Sequence, residues 1–137
     1  MGETKMKIIA DTNVLVRAAV QDDAHQARRA GRVLQDADLV AVPIPVLCEF
    51  VWVLCRGYKR SAADVASAIH RLINSAKVVT NRPAVEAGLS VLKSGGDFAD
   101  GVIAYEGNWL GAEELVSFDS KAISVLQALG SRARLLS

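Results

Sequence analysis

Cysteine and proline are scarce in this chain: two and three in 137 residues. Cys48 and Cys55 fall seven positions apart in one helix-like segment. A rise of ~1.5 Å per residue separates them by ~10 Å, past the ~7 Å reach of a disulfide. Two core-packing thiols fit a reducing, cytoplasmic setting. Long apolar runs are also missing. The most apolar stretch, Leu39 to Cys55, is cut by Pro43, Pro45 and Glu49 and falls short of the ~20 clean residues of a spanning helix. The opening Met-Gly-Glu-Thr-Lys-Met has no signal-peptide apolar region and no Ser or Thr at position 6 for myristoylation. Neither charge sign dominates, with 16 basic and 15 acidic residues and a net charge of +1. A broad basic surface for nucleic acid usually brings a pI above ~9. Here the pI is 7.8, so basic groups serving nucleic acid have to be gathered locally. The 10 glycines and 3 prolines show no period, which excludes collagen-like and linker-like chains. There is no Gly-rich phosphate loop and no zinc-spaced Cys/His cluster, so neither a nucleotide cofactor nor zinc is expected. His25 and His70 lie in helix-like segments without a Ser or Cys partner and read as ordinary surface or core residues.

What is present is an ordinary globular balance, 51% hydrophobic and 23% charged. A chain of this length buries roughly two thirds of its unfolded surface, and residues 1–137 are expected to form a single domain. Short apolar runs at Lys7–Ala10, Leu39–Val42, Lys77–Thr80 and Leu115–Phe118 read as strands, with Arg134–Leu136 as a further edge strand. Helical periodicity covers Val14–Val20, Ala24–Ala37, Pro45–Arg56, the segment opened by Ser61 and Asp64, the segment from Pro83 to Gly95, Phe98–Trp109 and Ile123–Leu129. Strands alternate with helices and are mostly apolar rather than alternating in polarity. That pattern predicts an α/β fold, a central parallel sheet of 4–5 strands covered on both faces.

Parallel strands point their C-terminal ends to one edge, where ligands bind. Asp11 and Asp119 each follow a strand directly. Helix N-capping is the simpler account of either one. Glu49 is the only charged residue between Asp38 and Arg56. A helix apolar nearly all round is expected to be buried, and a buried carboxylate has to be paired, protonated or metal-bound. The alternative is that Glu49 lies on a narrow wetted stripe or pairs with an arginine. Asp97 reads as the N-cap of its helix, and Asp100 falls in the first turn, where the helix dipole favours negative charge. Several carboxylates gathered at one edge take up protons or recruit a cation. All-oxygen donors suit Mg²⁺ or Mn²⁺, which serve phosphodiester hydrolysis.

Four segments in order carry a resemblance over residues 6–136. They are Ile8-Ile9-Ala10-Asp11-Thr12-Asn13, Pro45-Val46-Leu47-Cys48-Glu49, Asp97-Phe98-Ala99-Asp100-Gly101-Val102-Ile103-Ala104 and Ser117-Phe118-Asp119. Together they resemble the PIN-domain family, and within it the VapC-type toxins of toxin–antitoxin pairs. The resemblance implies a three-layer α/β/α sandwich and metal-dependent endoribonuclease activity leaving a 5′-phosphate and a 3′-hydroxyl. It implies that Asp11, Glu49, Asp100 and Asp119 form an acidic quartet for one or two Mg²⁺ or Mn²⁺ ions, with Asp11 and Asp100 as direct ligands. Thr12, Asn13, Ser117 and Asp97 would support them. Ser117 stands where threonine is commoner, and Gly101 is expected to loosen its helix slightly. The implied partners are RNA, a VapB-like antitoxin whose peptide fills the active-site groove, and a second copy in a homodimer, with no membrane involved. Arg17, Arg28, Arg29, Arg32, Arg56, Lys59, Arg60, Lys93 and Lys121 are candidates for phosphate contact. Trp52, Tyr58 and Trp109 are candidates for interfaces or for partial core burial.

Competing classes fit less well. A HAD-like phosphatase wants a second Asp two residues after the first, where Asn13 stands. A receiver-like signalling module wants an Asp ending its third strand, where Val79-Thr80-Asn81 stands. A PIN fold that binds RNA or protein without cutting remains the non-enzymatic alternative.

Overall fold

The computed structural model describes residues 6–137 and divides the chain into two compact units, Met1–Thr80 and Asn81–Ser137. The first unit holds β1 (Lys7–Ile9), α1 (Thr12–Val20), α2 (Ala24–Asp36), β2 (Leu39–Ala41), α3 (Ile44–Trp52), α4 (Ala62–Ile73) and β3 (Val78–Val79). Its sheet has the order β1-β2-β3 with both pairs parallel, Ile9 facing Ala41 and Ala41 facing Val79. The crossovers are helical, as parallel pairing requires. Ladder bonds continue past the strand ends, from Ala10 N–H to the Ala41 carbonyl at 3.0 Å and from Val42 N–H to the Val79 carbonyl at 2.9 Å. The β1 and β2 chains therefore leave the sheet side by side, each straight into a helix. Val40, Val42, Leu47, Phe50, Val65 and Ile69 are among the buried core residues of this unit.

Local chemistry sets the helix starts. The Asp23 carboxylate accepts from Gln26 N–H, opening α2, and the Ser61 hydroxyl accepts from Asp64 N–H, opening α4, both ordinary N-caps. Pro45 sits in the first turn of α3, where its missing N–H is harmless. The sequence reads a single α-helix as far as Arg56. Instead α3 ends at Trp52 and continues as a π-helical turn, Val53–Gly57, closed by Tyr58 N–H on the Val53 carbonyl at 3.1 Å. Hydrophobic periodicity does not distinguish one extra residue per turn from an α-helical ending.

The second unit holds α5 (Arg82–Lys93), α6 (Phe98–Trp109), β4 (Leu115–Ser117), α7 (Ser120–Ala128) and β5 (Ala133–Leu135). β4 and β5 pair in parallel, Ser117 facing Leu135. A tight turn joins α5 to α6. Gly95 adopts φ +90°, and Gly96 N–H returns to the Val91 carbonyl at 2.9 Å. The predicted α/β class and parallel pairing are present, and the five strands are hydrogen-bonded as a set of three and a set of two. No helix of the described residues is long and apolar enough to cross a membrane.

Candidate active site

Asp11 follows β1 and caps α1. Its Oδ1 accepts from Thr12 N–H at 2.8 Å, and its backbone carbonyl accepts from Val14 and Leu15. Capping thus accounts for one carboxylate oxygen and leaves Oδ2 for other chemistry. Thr12, one residue into α1, donates its hydroxyl to Glu49 Oε1 at 3.4 Å. That contact links the turn after β1 to α3, which follows β2, the strand paired with β1. The expectation that Glu49 is buried does not hold. Pro45, Glu49, Trp52 and Arg56 are all exposed, at the i, i+4, i+7, i+11 spacing of a single stripe. Leu47, Phe50, Val51 and Leu54 on the other side are buried. The alternative given for Glu49, a narrow wetted stripe, is what the structure shows, with Pro45 and Trp52 as its apolar members. Asn13 is also exposed at this turn.

In the second unit the acids crowd. Asp97 caps α6, its Oδ1 accepting from Ala99 N–H at 3.2 Å. Asp119 caps α7, with Oδ1 accepting from Lys121 and Ala122 N–H groups, each at 3.1 Å. Ser117 holds the intervening turn, its hydroxyl oxygen accepting from Asp119 N–H at 3.0 Å. Asp100, half-buried in the first turn of α6, has its carboxyl pushed above the ordinary value. Burial is the largest cause, and the negative charges of Asp97 and Asp119 add to it. A cation beside these groups would be favoured by the same field that resists ionisation of Asp100.

Gly101 was expected to loosen α6. The opposite holds. A Cβ at position 101 would lie 2.3 Å from the Ala87 carbonyl oxygen and 2.8 Å from Gly88 Cα, so only glycine admits this approach of α6 to α5. On the same interface, a Cβ at Gly88 would meet the fully buried Phe98 ring at 2.6 Å.

Several side chains outside this set were misjudged or missed. Asp22 binds the Tyr58 hydroxyl at 3.0 Å and Arg17 Nη1 at 3.2 Å, and the Tyr58 bond is the largest cause holding its carboxyl below the usual range. Arg17 is thus engaged by a neighbouring carboxylate, and Tyr58 is tied within the chain. Nothing in the sequence marks a partner 36 positions away. Trp52 and Trp109 are exposed, the latter by 80%. Among the described residues, no group of three or more His, Cys, Asp or Glu side chains stands ready to hold a metal ion. The structure presents instead Asp11 and Glu49 joined through Thr12, and Asp100 coupled electrostatically to Asp97 and Asp119. The donors are nonetheless all carboxylates, the chemistry of a hard divalent ion.

The family model of the PIN domain matches residues 8–125, which takes in all four acidic segments. A comparison with curated proteins gave no match. The chain belongs to the PIN domain family, a family of nucleases that are typically metal-dependent.

Proposed function

We propose that this PIN-domain chain is a Mg²⁺- or Mn²⁺-dependent endoribonuclease and the toxin of a VapBC-type toxin–antitoxin pair. Residues 1–137 would work as one domain, in the cytoplasm, as a homodimer held inactive by a VapB-like antitoxin. The observation that carries the reading is the crowding of negative charge at Asp100. Burial and two neighbouring carboxylates raise its proton affinity. Capping accounts for Asp97 and Asp119 singly but not for a third, half-buried carboxylate beside them, and a divalent cation would relieve that crowding.

In this reading Asp11 and Asp100 hold the ion directly, and Glu49 and Asp119 complete its surroundings directly or through water. When bound, the ion supplies Lewis acidity to the phosphodiester and makes water a better nucleophile at neutral pH. The chain's own groups do the positioning. The Thr12 hydroxyl orients Glu49 through Oε1. The two amides at the start of α7 fix Asp119 through Oδ1, so its other carboxylate oxygen would be the one offered to the ion. Ser117 holds the turn that presents Asp119. Asp97 deepens the negative potential beside Asp100. Cleavage would leave a 5′-phosphate and a 3′-hydroxyl, in keeping with the family resemblance.

The test is cleavage of a labelled single-stranded RNA in Mg²⁺, in chelator, and with Asp11→Asn and Asp100→Asn. The proposal expects cutting only in Mg²⁺, and losses of at least ~100-fold in both variants. Wild-type rates in either variant would refute the site. The toxin role expects growth arrest on expression, relieved by Asp11→Asn and by a small adjacent gene encoding a DNA-binding protein. One observation favours a second reading, a PIN fold that binds RNA without cutting: no ready-made cluster of three ligands exists among the described residues. RNA binding that is undiminished in chelator, with no cleavage in any divalent ion, would support it.

A further inference from the structure

We infer that Gly101 is a positioning residue, whose missing side chain sets the depth of α6 against α5 and thereby the placement of the Asp100 carboxylate. The inference rests on the proposed role of Asp100 and adds to it a cause for its position.

The steric case is stringent because the obstacle is backbone. Any Cβ at 101 would lie 2.3 Å from the Ala87 carbonyl oxygen, 2.8 Å from its carbonyl carbon and 2.8 Å from Gly88 Cα. No rotamer change relieves contacts with main-chain atoms of a helix, so α6 itself must retreat. Restoring ordinary carbon–oxygen contact from 2.3 Å requires a shift of about 1 Å. Asp100 is the adjacent residue in the first turn of the moving helix. A displacement of that size near reacting groups is enough to lower a rate by ~100-fold.

Other glycines separate this effect from glycine content as such. Gly107 lies on the same helix, and a Cβ there would meet nothing within 4 Å. Gly88 faces the Phe98 ring across the same helix pair, so a Cβ there would push on the first turn of α6 through a buried side chain. Val85, fully buried in α5, offers a cavity-forming change with no steric push.

The experiment measures Mn²⁺ binding by electron paramagnetic resonance, together with thermal stability, on the full chain and its variants. The expected result is at least ~10-fold weaker Mn²⁺ binding in Gly101→Ala and a smaller loss in Gly88→Ala. Val85→Ala, chosen to lower thermal stability without moving α6, should bind Mn²⁺ as the wild type does, and so should Gly107→Ala. Wild-type Mn²⁺ affinity in Gly101→Ala would overturn the inference. If Gly101→Ala does not fold, wild-type affinity in Gly88→Ala overturns it instead. An equal loss in Val85→Ala would also overturn it, because destabilisation alone would then suffice. Asp100→Asn run in parallel keeps the two ideas apart. Lost binding there with unchanged binding in Gly101→Ala sinks only the positioning role. Unchanged binding in Asp100→Asn sinks the assignment of Asp100 itself.

Discussion

Asp119 serves two masters, and substitution can separate them. Its Oδ1 accepts from the amides of Lys121 and Ala122 at 3.1 Å each, so it caps α7, the helix that buries Ala122, Ile123 and Leu126. Asp119→Ala strips both amides of their acceptor, and loss of an N-cap costs about 1–2 kcal/mol. The upper half of that range applies here because the Ala122 amide is partly buried. With a urea m-value of about 1.5 kcal/mol/M for a chain this size, the unfolding midpoint should fall by about 1 M. Asp119→Asn keeps a good cap, so its midpoint should stay within ~0.3 M of wild type. Cleavage should behave differently. Asn and Ala both remove the carboxylate charge, and both should cut RNA at least ~10-fold more slowly in saturating Mg²⁺. Urea titration followed by circular dichroism and single-turnover RNA cleavage are the two assays. Wild-type cleavage by Asp119→Asn would show that the residue is only a cap. An Asp119→Ala midpoint equal to that of Asp119→Asn would refute the capping argument.

Other consequences are equally open to measurement. Folding raises the Asp100 carboxyl above its ordinary value of 3.8, so Asp100 supports the fold only where it is protonated, and that support is lost as pH rises through the raised value. Asp100→Asn should therefore unfold at higher urea than wild type near pH 7 without divalent ion, and the gap should close below pH 3.8. A gap that is absent at pH 7 contradicts the cost assigned to burying Asp100 beside Asp97 and Asp119. Thr12→Val removes the hydroxyl that donates to Glu49 at 3.4 Å. It should change stability by less than ~0.5 kcal/mol and slow cleavage by ~10-fold, as read by the same two assays. Gly31→Ala in α2, where a Cβ would meet nothing within 4 Å, should add about 0.5–1 kcal/mol of stability in thermal melts.

Much of the fold was legible because its signals are local. α6 spans Phe98–Trp109 as periodicity indicates, since Asp97 caps it and the glycine pair before it ends α5. The capping relation of Ser61 to Asp64 is likewise a matter of three residues. The π-helical turn at Val53–Gly57 was not legible, because apolar spacing tolerates it. The exposed side of α3 was legible only as an alternative, because Pro45 and Trp52 set apolar letters on the wetted stripe and composition cannot choose between it and a buried helix. Gly101 was misjudged for a related reason. Composition reports a weak helix former, whereas the carbonyl that fills its missing side chain belongs to a different helix. The acidic residues themselves stood out by type and by their places after strands or at helix starts. Asp100 is perturbed first by burial, then by Asp97 three positions away and by Asp119 19 positions away, and of these only the Asp97 neighbour can be read from the sequence.

The proposed nuclease depends on carboxylates from distant segments of the chain acting on one divalent ion. Its most direct test is to titrate substoichiometric Mn²⁺ into isotopically labelled protein and follow paramagnetic broadening of the backbone amide signals. The signals of Asp11, Thr12, Glu49, Asp100 and Asp119 should fade together at the lowest additions, and Asp11→Asn should abolish the effect at all of them. Broadening confined to one of the two groups, Asp11 with Glu49 or Asp100 with Asp119, or none at millimolar Mn²⁺, would contradict it.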